Sequence, residues 1–351
     1  MRAGWDGSRG ADFIVTSRVP KKVLSGAGWG VWARLSTWNG SILAGMVRMT
    51  VLASGSRGNS TVVCTERTRV LVDAGLSCRE LLKRMRLSGE EPEALDGIVI
   101  THEHQDHVQG LAVLARKLGV PVYFTEATHR AWVRWMTPQK KTTYAEWIAA
   151  RAAERERAER GITEAETEVE AEAKKCAKDP GELSRLPGVE YFRAGERFSI
   201  GDLDVFPFTI PHDAADPCGF VFQSQGMRIA IATDLGYMPP NARAALRGCD
   251  VLMLESNHDL EMLRDGPYPW SVKQRVMSRV GHLSNHALSE YLTGDYDGQA
   301  QYVVLAHLSE NNNLPELARI SAEAALAERM PLLLNRVLLA TQEQPLAPIY
   351  L

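Results

Sequence analysis

Residues 95–107 read LDGIVITHEHQDH: a short apolar run that empties into seven positions holding three histidines, one aspartate and one glutamate. The apolar half has the length and β-branched content of a buried strand. The polar half cannot follow it into a core, because imidazole and carboxylate are costly to bury without partners. Either the stretch is a solvated loop or it holds metal. In extended backbone, residues two apart point to one side, so His102 and His104 can converge on one ion. Asp106 and His107 arrive as the chain turns into the amphipathic helix VQGLAVLARKLG and can face a second ion.

Outward from this stretch the pattern alternates. MTVLASGS, TVVCT and RVLVDAG read as strands, SCRELLKRMRL as a helix, and PVYFT as the strand after the histidine-rich turn. That order signals an α/β architecture. Strand signals resume in ERFSIGDLDVFPFTIPHD, GFVFQ, MRIAIATDLG, DVLMLES and QYVVLAHLS, with NRVLLATQ as a closing strand. WSVKQRVMSRV, HALSEYL and ELARISAEAALAER carry helical spacing. Two segments depart from this. Residues 1–45, rich in Gly, Ser, Arg and Trp, lack periodicity and are expected to be a disordered extension of a domain spanning 46–351. Residues 136–186, rich in Ala, Glu and Arg, read as a charged helical insertion, either a solvated excursion or an arm for a protein partner.

Bulk composition narrows the class. With 45% hydrophobic residues and a net charge of −3, the chain suits a soluble globular protein and not a wholly basic nucleic-acid binder. Local basic patches, or positive charge supplied by metal, remain open. Five cysteines without a CxxC pair suggest reduced thiols in a cytoplasmic protein. No apolar run is long enough to span a membrane, and no signal peptide is read at the start.

Further ligand-type residues sit where apolar strands emerge into loops: His212 after FPFTI, Asp234 after MRIAI and His307 after QYVVL. Alone, each reads more simply as a cap or a satisfied polar residue. Together with HxHxDH they form a set. His129 and His286 read as ordinary helix residues, and Cys218 as a small buried one.

With these motifs the chain resembles the metallo-β-lactamase superfamily. LASGSRGNS, PHDAADPCGF, ATDLG, ESNHD, GHLSN and AHLSENN are similar, more narrowly, to the YycJ/WalJ/VicX family, from about Met49 to Leu351 without the insertion. The resemblance implies an αββα sandwich and two divalent metal ions, zinc, manganese or iron. It implies His102, His104 and His212 on one ion, Asp106, His107 and His307 on the other, and Asp234 between them. Asp73 would be a structural aspartate behind the ligands. A histidine at 104, where oxygen-reducing members carry an acidic residue, favours the hydrolytic branch. The family is cytoplasmic and regarded as exonucleases acting on DNA 5′ ends. Neither the N-terminal extension nor the insertion belongs to its compact pattern.

These parts suit a phosphodiester. Two ions ~3.5–4 Å apart activate a hydroxide and neutralise phosphate charge. Ser56, Arg57 and Asn59 could donate to phosphate oxygens, or simply build a tight turn. In GHLSN, His282 is a candidate phosphate binder or general acid, while Ser284 and Asn285 could contact substrate or cap the following helix. Asp106 and His282 are the expected catalytic residues. Glu255, Asn257, His258 and Asp259 are expected to orient ligands from behind, with a purely structural role equally open for His258. Lys273, Arg275 and Arg279, with Trp270, form either a DNA-backbone face or a solvated helix face. The leading expectation is therefore a dinuclear metal-dependent DNA phosphodiesterase, a 5′-to-3′ exonuclease. The alternatives are a thioester or lactone hydrolase on the same fold, or a non-catalytic metal-stabilised regulator. Sequence gives no oligomeric state.

Overall fold

The computed structural model describes residues 47–137, 148–149, 151–152, 183–329 and 335–351. The expected extension over 1–45 lies outside the described residues, as does most of the expected insertion over 136–186.

Two seven-stranded sheets form the body. The first contains β1 (Arg48–Ala53), β2 (Ser60–Cys64), β3 (Arg69–Val72), β4 (Gly97–Val99), β5 (Val122–Phe124), β6 (Val189–Tyr191) and β14 (Ile349–Tyr350), in the order β14-β1-β2-β3-β4-β5-β6. The second contains β7 (Phe198–Ile200), β8 (Leu203–Thr209), β9 (Cys218–Ser224), β10 (Met227–Ala232), β11 (Val251–Glu255), β12 (Tyr302–Ala306) and β13 (Arg336–Leu339), ordered β13-β12-β11-β10-β9-β8-β7. Each sheet has an antiparallel half and a parallel half. NRVLLATQ does contain a strand, β13, but the chain closes on β14, which pairs with β1 in the other sheet.

The near-continuous apolar strands follow from burial on both faces. In β11, Val251 and Met253 face the opposite sheet, while Leu252 and Leu254 face helices. In the first sheet, Val70 and Val72 point between the sheets and Leu71 points the other way. Helices α1 (Cys78–Leu87), α3 (Leu111–Leu118) and α4 (Glu126–Met136) cover the first sheet through Leu81, Met85, Leu111, Leu114 and Trp132. Helices α5 (Pro240–Leu246), α8 (Asn285–Gly294) and α9 (Pro315–Arg329) cover the second through Ala242, Leu288, Tyr291, Ala318 and Ala322. The expected αββα sandwich is the observed architecture. Between these lie three short helices, α2 (Gln105–Val108), α6 (Leu260–Asp265) and α7 (Trp270–Val276). Among the described residues, no helix is long and apolar enough to cross a membrane.

Strand direction then places the chemistry. The C-terminal ends of β3, β4, β8, β10, β11 and β12 lead directly into Asp73, the 101–107 turn, His212, Asp234, Glu255 and His307.

Candidate metal centre

Three of these residues leave their strands in a left-handed backbone: Asp73 at φ 61°, Asp234 at φ 62° and His307 at φ 55°. Such φ values are uncommon away from glycine, and each costs on the order of 1–3 kcal/mol. The kink turns each side chain off the strand and toward a common point.

His102, His104 and His212 form one group. His104 Nδ1 lies 3.1 Å from His102 Nε2 and 3.2 Å from His212 Nε2. Asp106, His107 and His307 form a second: Asp106 Oδ2 is 3.5 Å from both His107 Nε2 and His307 Nε2. Asp234 belongs with both sets, Oδ2 being 3.3 Å from His107 Nε2 and Oδ1 3.9 Å from His212 Nε2. Ligand-type atoms within each group lie within 4.8 Å of one another. All seven expected residues are thus brought together.

The surroundings hold these rings in place. Asp73 Oδ2 is 2.7 Å from His107 Nδ1, and the same carboxylate accepts from the N–H and hydroxyl of Thr101. His212 Nδ1 is 3.2 Å from the Gly281 carbonyl oxygen. The Asn257 side-chain amide donates to the His307 carbonyl. Ser54 accepts from the His307 N–H, and Ser54 in turn sits in a loop tied down by the C-terminal segment. There the Ser54 N–H donates to Thr341 O, the Arg57 N–H to Gln342 Oε1, and Gln342 Nε2 to Gly58 O.

Charge explains what this arrangement accepts. Burial drives His102 well below the ordinary imidazole range, leaving a neutral ring able to donate a lone pair. Burial also works against charge on His107 and His307, but Asp106, Asp73 and Asp234 outweigh it at His107, and Asp234 and Glu255 at His307, so both lie well above the ordinary range. Asp234 is buried, yet the cationic rings of His307 and His107 hold it well below the carboxylate range. Buried carboxylates here demand positive charge close by. Asp234 Oδ2 is buried without a hydrogen bond. Adjacent ring nitrogens 3.1–3.2 Å apart are spaced much as two nitrogens on one ion at ~2.1 Å would be. An orphaned buried carboxylate oxygen, converging imidazoles and excess acid together fit divalent cations.

Glu255 sits at the centre of the remaining contacts. It is fully buried; Oε1 is 2.8 Å from His282 Nδ1 and 2.9 Å from His307 Nδ1. Thr101 is a site residue that sequence reading missed: its hydroxyl touches Asp73 and lies 3.1 Å from Nδ1 of both His102 and His107. Its position directly before HxHxDH was the available signal. Beside the cluster opens a cavity of about 240 Å³, lined by residues including Ser56, His104, Asp106, His212, Asp234, Arg275, His282 and His307.

Other expected residues stand elsewhere. Arg57 pairs at the surface with Glu310 and Glu343. The buried Asn59 side chain bonds Gly55 and lies against the ligand groups themselves, its Nδ2 3.3 Å from Asp106 Oδ2 and 3.1 Å from His107 Nε2, without itself lining the cavity. Ser284 caps α8 by accepting from Ala287 N–H, and buried Asn285 bonds Ser256 and Asn313. His258 is buried beside Asn257, and Asp259 caps α6. Lys273 belongs to neither the DNA-backbone face nor the solvated face expected for it: it is buried, donating to the Arg264 carbonyl oxygen. Arg279 lies over the Tyr237 ring, and Trp270 is exposed. His129 stacks on Phe124, exposed His286 meets Glu290, and Cys218 is buried.

Comparison with known proteins agrees with this architecture. Residues 53–272 match the model of the metallo-beta-lactamase superfamily, whose members bind divalent metals. The chain is 34% identical over 288 residues to exodeoxyribonuclease YycJ of Bacillus anthracis, covering 81% of this chain and 90% of that protein. It is 31% identical over 281 residues to exodeoxyribonuclease WalJ of Streptococcus pneumoniae, covering 80% of this chain and 88% of the relative. Among solved structures, the metallo-beta-lactamase fold protein YhfI from Bacillus subtilis superposes with a TM-score of 0.57 at 13% identity, covering 86% of this chain and 99% of that one. The chain belongs to the metallo-β-lactamase superfamily, within the family of the exodeoxyribonucleases YycJ and WalJ.

Proposed function

We propose that this protein is a metal-dependent exodeoxyribonuclease that removes nucleotides from DNA in the 5′-to-3′ direction, using two divalent ions. The observation that carries the reading is the paired ligand groups, joined through Asp234, beside a cavity of about 240 Å³. His102, His104 and His212 would hold one ion, Asp106, His107 and His307 the other, with Asp234 shared. Bound divalent ions supply Lewis-acid stabilisation of a phosphate and a water acidified toward neutral pH.

The protein's own groups divide the remaining work. Asp106 lines the cavity with its Oδ2 between Nε2 of His107 and Nε2 of His307, where it would complete the ligand set on the side open to substrate. His282 lines the same cavity with Nδ1 committed to Glu255, so its Nε2 is the nitrogen left to act on substrate. Burial opposes charge on this ring, but the Glu255 carboxylate outweighs it and raises the His282 pKa. A histidine placed at the cavity with one nitrogen free can pass a proton to the departing oxygen. The four described cysteines are free thiols, in keeping with a cytoplasmic setting.

The test is incubation of the protein with end-labelled single- and double-stranded DNA in zinc, manganese or iron. Stepwise release of mononucleotides from 5′ ends is expected, with closed circular DNA left intact. Absence of end-dependent release with every metal would overturn the reading.

A further inference from the structure

Most of the charge around the cavity is negative. Asp106, Asp213 and Asp234 all contribute to its lining, and Glu255 stands directly behind. A phosphodiester entering this space needs positive charge on the side away from the metal ligands as well. Apart from histidine, Arg275 on α7 is the one basic side chain among the residues lining the cavity.

Nε and Nη2 of Arg275 both lie 2.6 Å from Asp213 Oδ2. Asp213 follows the candidate ligand His212, and its own N–H donates to the Val280 carbonyl oxygen. The guanidinium is therefore braced at one edge, which lowers the entropy lost when its other edge meets an anion. The Arg275 side chain as a whole is about two-thirds exposed, so solvent and substrate can reach it. Val272 and Val276 line the cavity from the same helix and give it an apolar wall.

We infer that Arg275, braced by Asp213, is the residue through which this chain grips a DNA backbone phosphate, with Val272 and Val276 packing against the adjoining sugar. The inference rests on the nuclease reading above. Arginine suits this contact because its planar donors match phosphate oxygens, whereas lysine offers only a point charge. Asp213 is a positioning residue that holds the fork at the right height.

The experiment measures KM and kcat for end-labelled duplex DNA between 50 and 200 mM salt, with metal content and melting temperature, for wild type, Arg275→Ala and Arg275→Lys. Arg275→Ala should raise KM roughly tenfold or more, the loss expected for one charge-assisted contact, and move kcat less. Its plot of log KM against log salt should flatten by about one unit, as removal of one phosphate contact requires. Arg275→Lys should recover the salt slope but only part of the KM. Metal content and melting temperature should match wild type. An unchanged salt slope in Arg275→Ala, or loss of metal from it, overturns the inference and makes the arginine a structural brace for the His212 loop. Wild-type protein inert toward DNA while still loading metal would instead overturn the nuclease reading and, with it, this inference.

Discussion

The Nδ1 of His282 lies 2.8 Å from Oε1 of Glu255. The other oxygen of that carboxylate accepts from the backbone N–H groups of Leu235 and Leu283. Every lone pair that could swing the glutamate elsewhere is engaged, so the histidine is aimed by a rigid partner.

His282→Ala should keep metal and fold but lower DNA cleavage by ~10²–10⁴-fold, the usual contribution of a positioned proton donor. The loss should be smaller on bis(p-nitrophenyl) phosphate, whose leaving group needs no proton. Activity on both substrates, metal content and melting temperature together decide the matter. A lower melting temperature with near-normal turnover would make His282 a structural residue.

Asp234→Asn should cost more metal than replacement of any single histidine, because Asp234 stands against both ligand groups. Asparagine tolerates the left-handed backbone at φ 62° as well as aspartate does, so the substitution adds no backbone strain. Elemental analysis is the readout. Two ions retained in the variant would remove Asp234 from its bridging role.

Gly75→Ala probes the backbone beneath the metal loop. A Cβ at Gly75 would lie 1.7 Å from the Asp106 carbonyl oxygen and 2.5 Å from the Asn59 backbone nitrogen. Neither neighbour can yield without shifting the 101–107 turn. Overpacking of this kind costs about 1–3 kcal/mol, and metal content should fall alongside the melting temperature. Gly294→Ala, whose Cβ would meet nothing within 4 Å, is the control and should leave metal content unchanged and the melting temperature unlowered.

His258 makes stability depend on pH. Burial pushes its pKa down from 6.5 to about 4. The unfolded chain therefore binds a proton that the folded chain refuses between those values, and stability rises with pH across that window. The contribution is full above pH 6.5 and is lost as pH falls toward 4. The shift corresponds to about 3 kcal/mol. Denaturant unfolding at pH 7 and pH 4.5 should show a smaller acid loss in His258→Gln than in wild type. Equal losses would place the acid sensitivity at other groups.

The sequence made the site's core visible because its signals are local. HxHxDH follows an apolar strand, and strand geometry alone lets His102 and His104 converge. His212, Asp234 and His307 each betray themselves by standing one to two residues past an apolar run. What escaped reading depends on contacts across the chain. Arg57 could not be known to meet Glu310 and Glu343, about 250 and 290 positions away. Lys273 falls on the buried side of α7, and a helix of seven residues is too short for periodicity to fix its facing. Asn285 and Ser284 share an N-cap signature, yet only the serine caps, because packing turns the asparagine inward to Asn313. The strand β14, two residues long, carries no pattern at all.

The bracing of Ser54–Gly58 by Thr341 and Gln342 sets an order of assembly. Synthesis runs from the N-terminal side, so every candidate ligand, through His307, is made before the Thr341–Gln342 segment that ties down the loop holding His307 N–H. β1 waits equally long for its edge partner β14. A nascent chain thus carries all its ligand side chains while its metal pocket still lacks its final buttress. A chain cut short before Thr341 would carry every candidate ligand side chain while its 54–58 loop lacked these three ties.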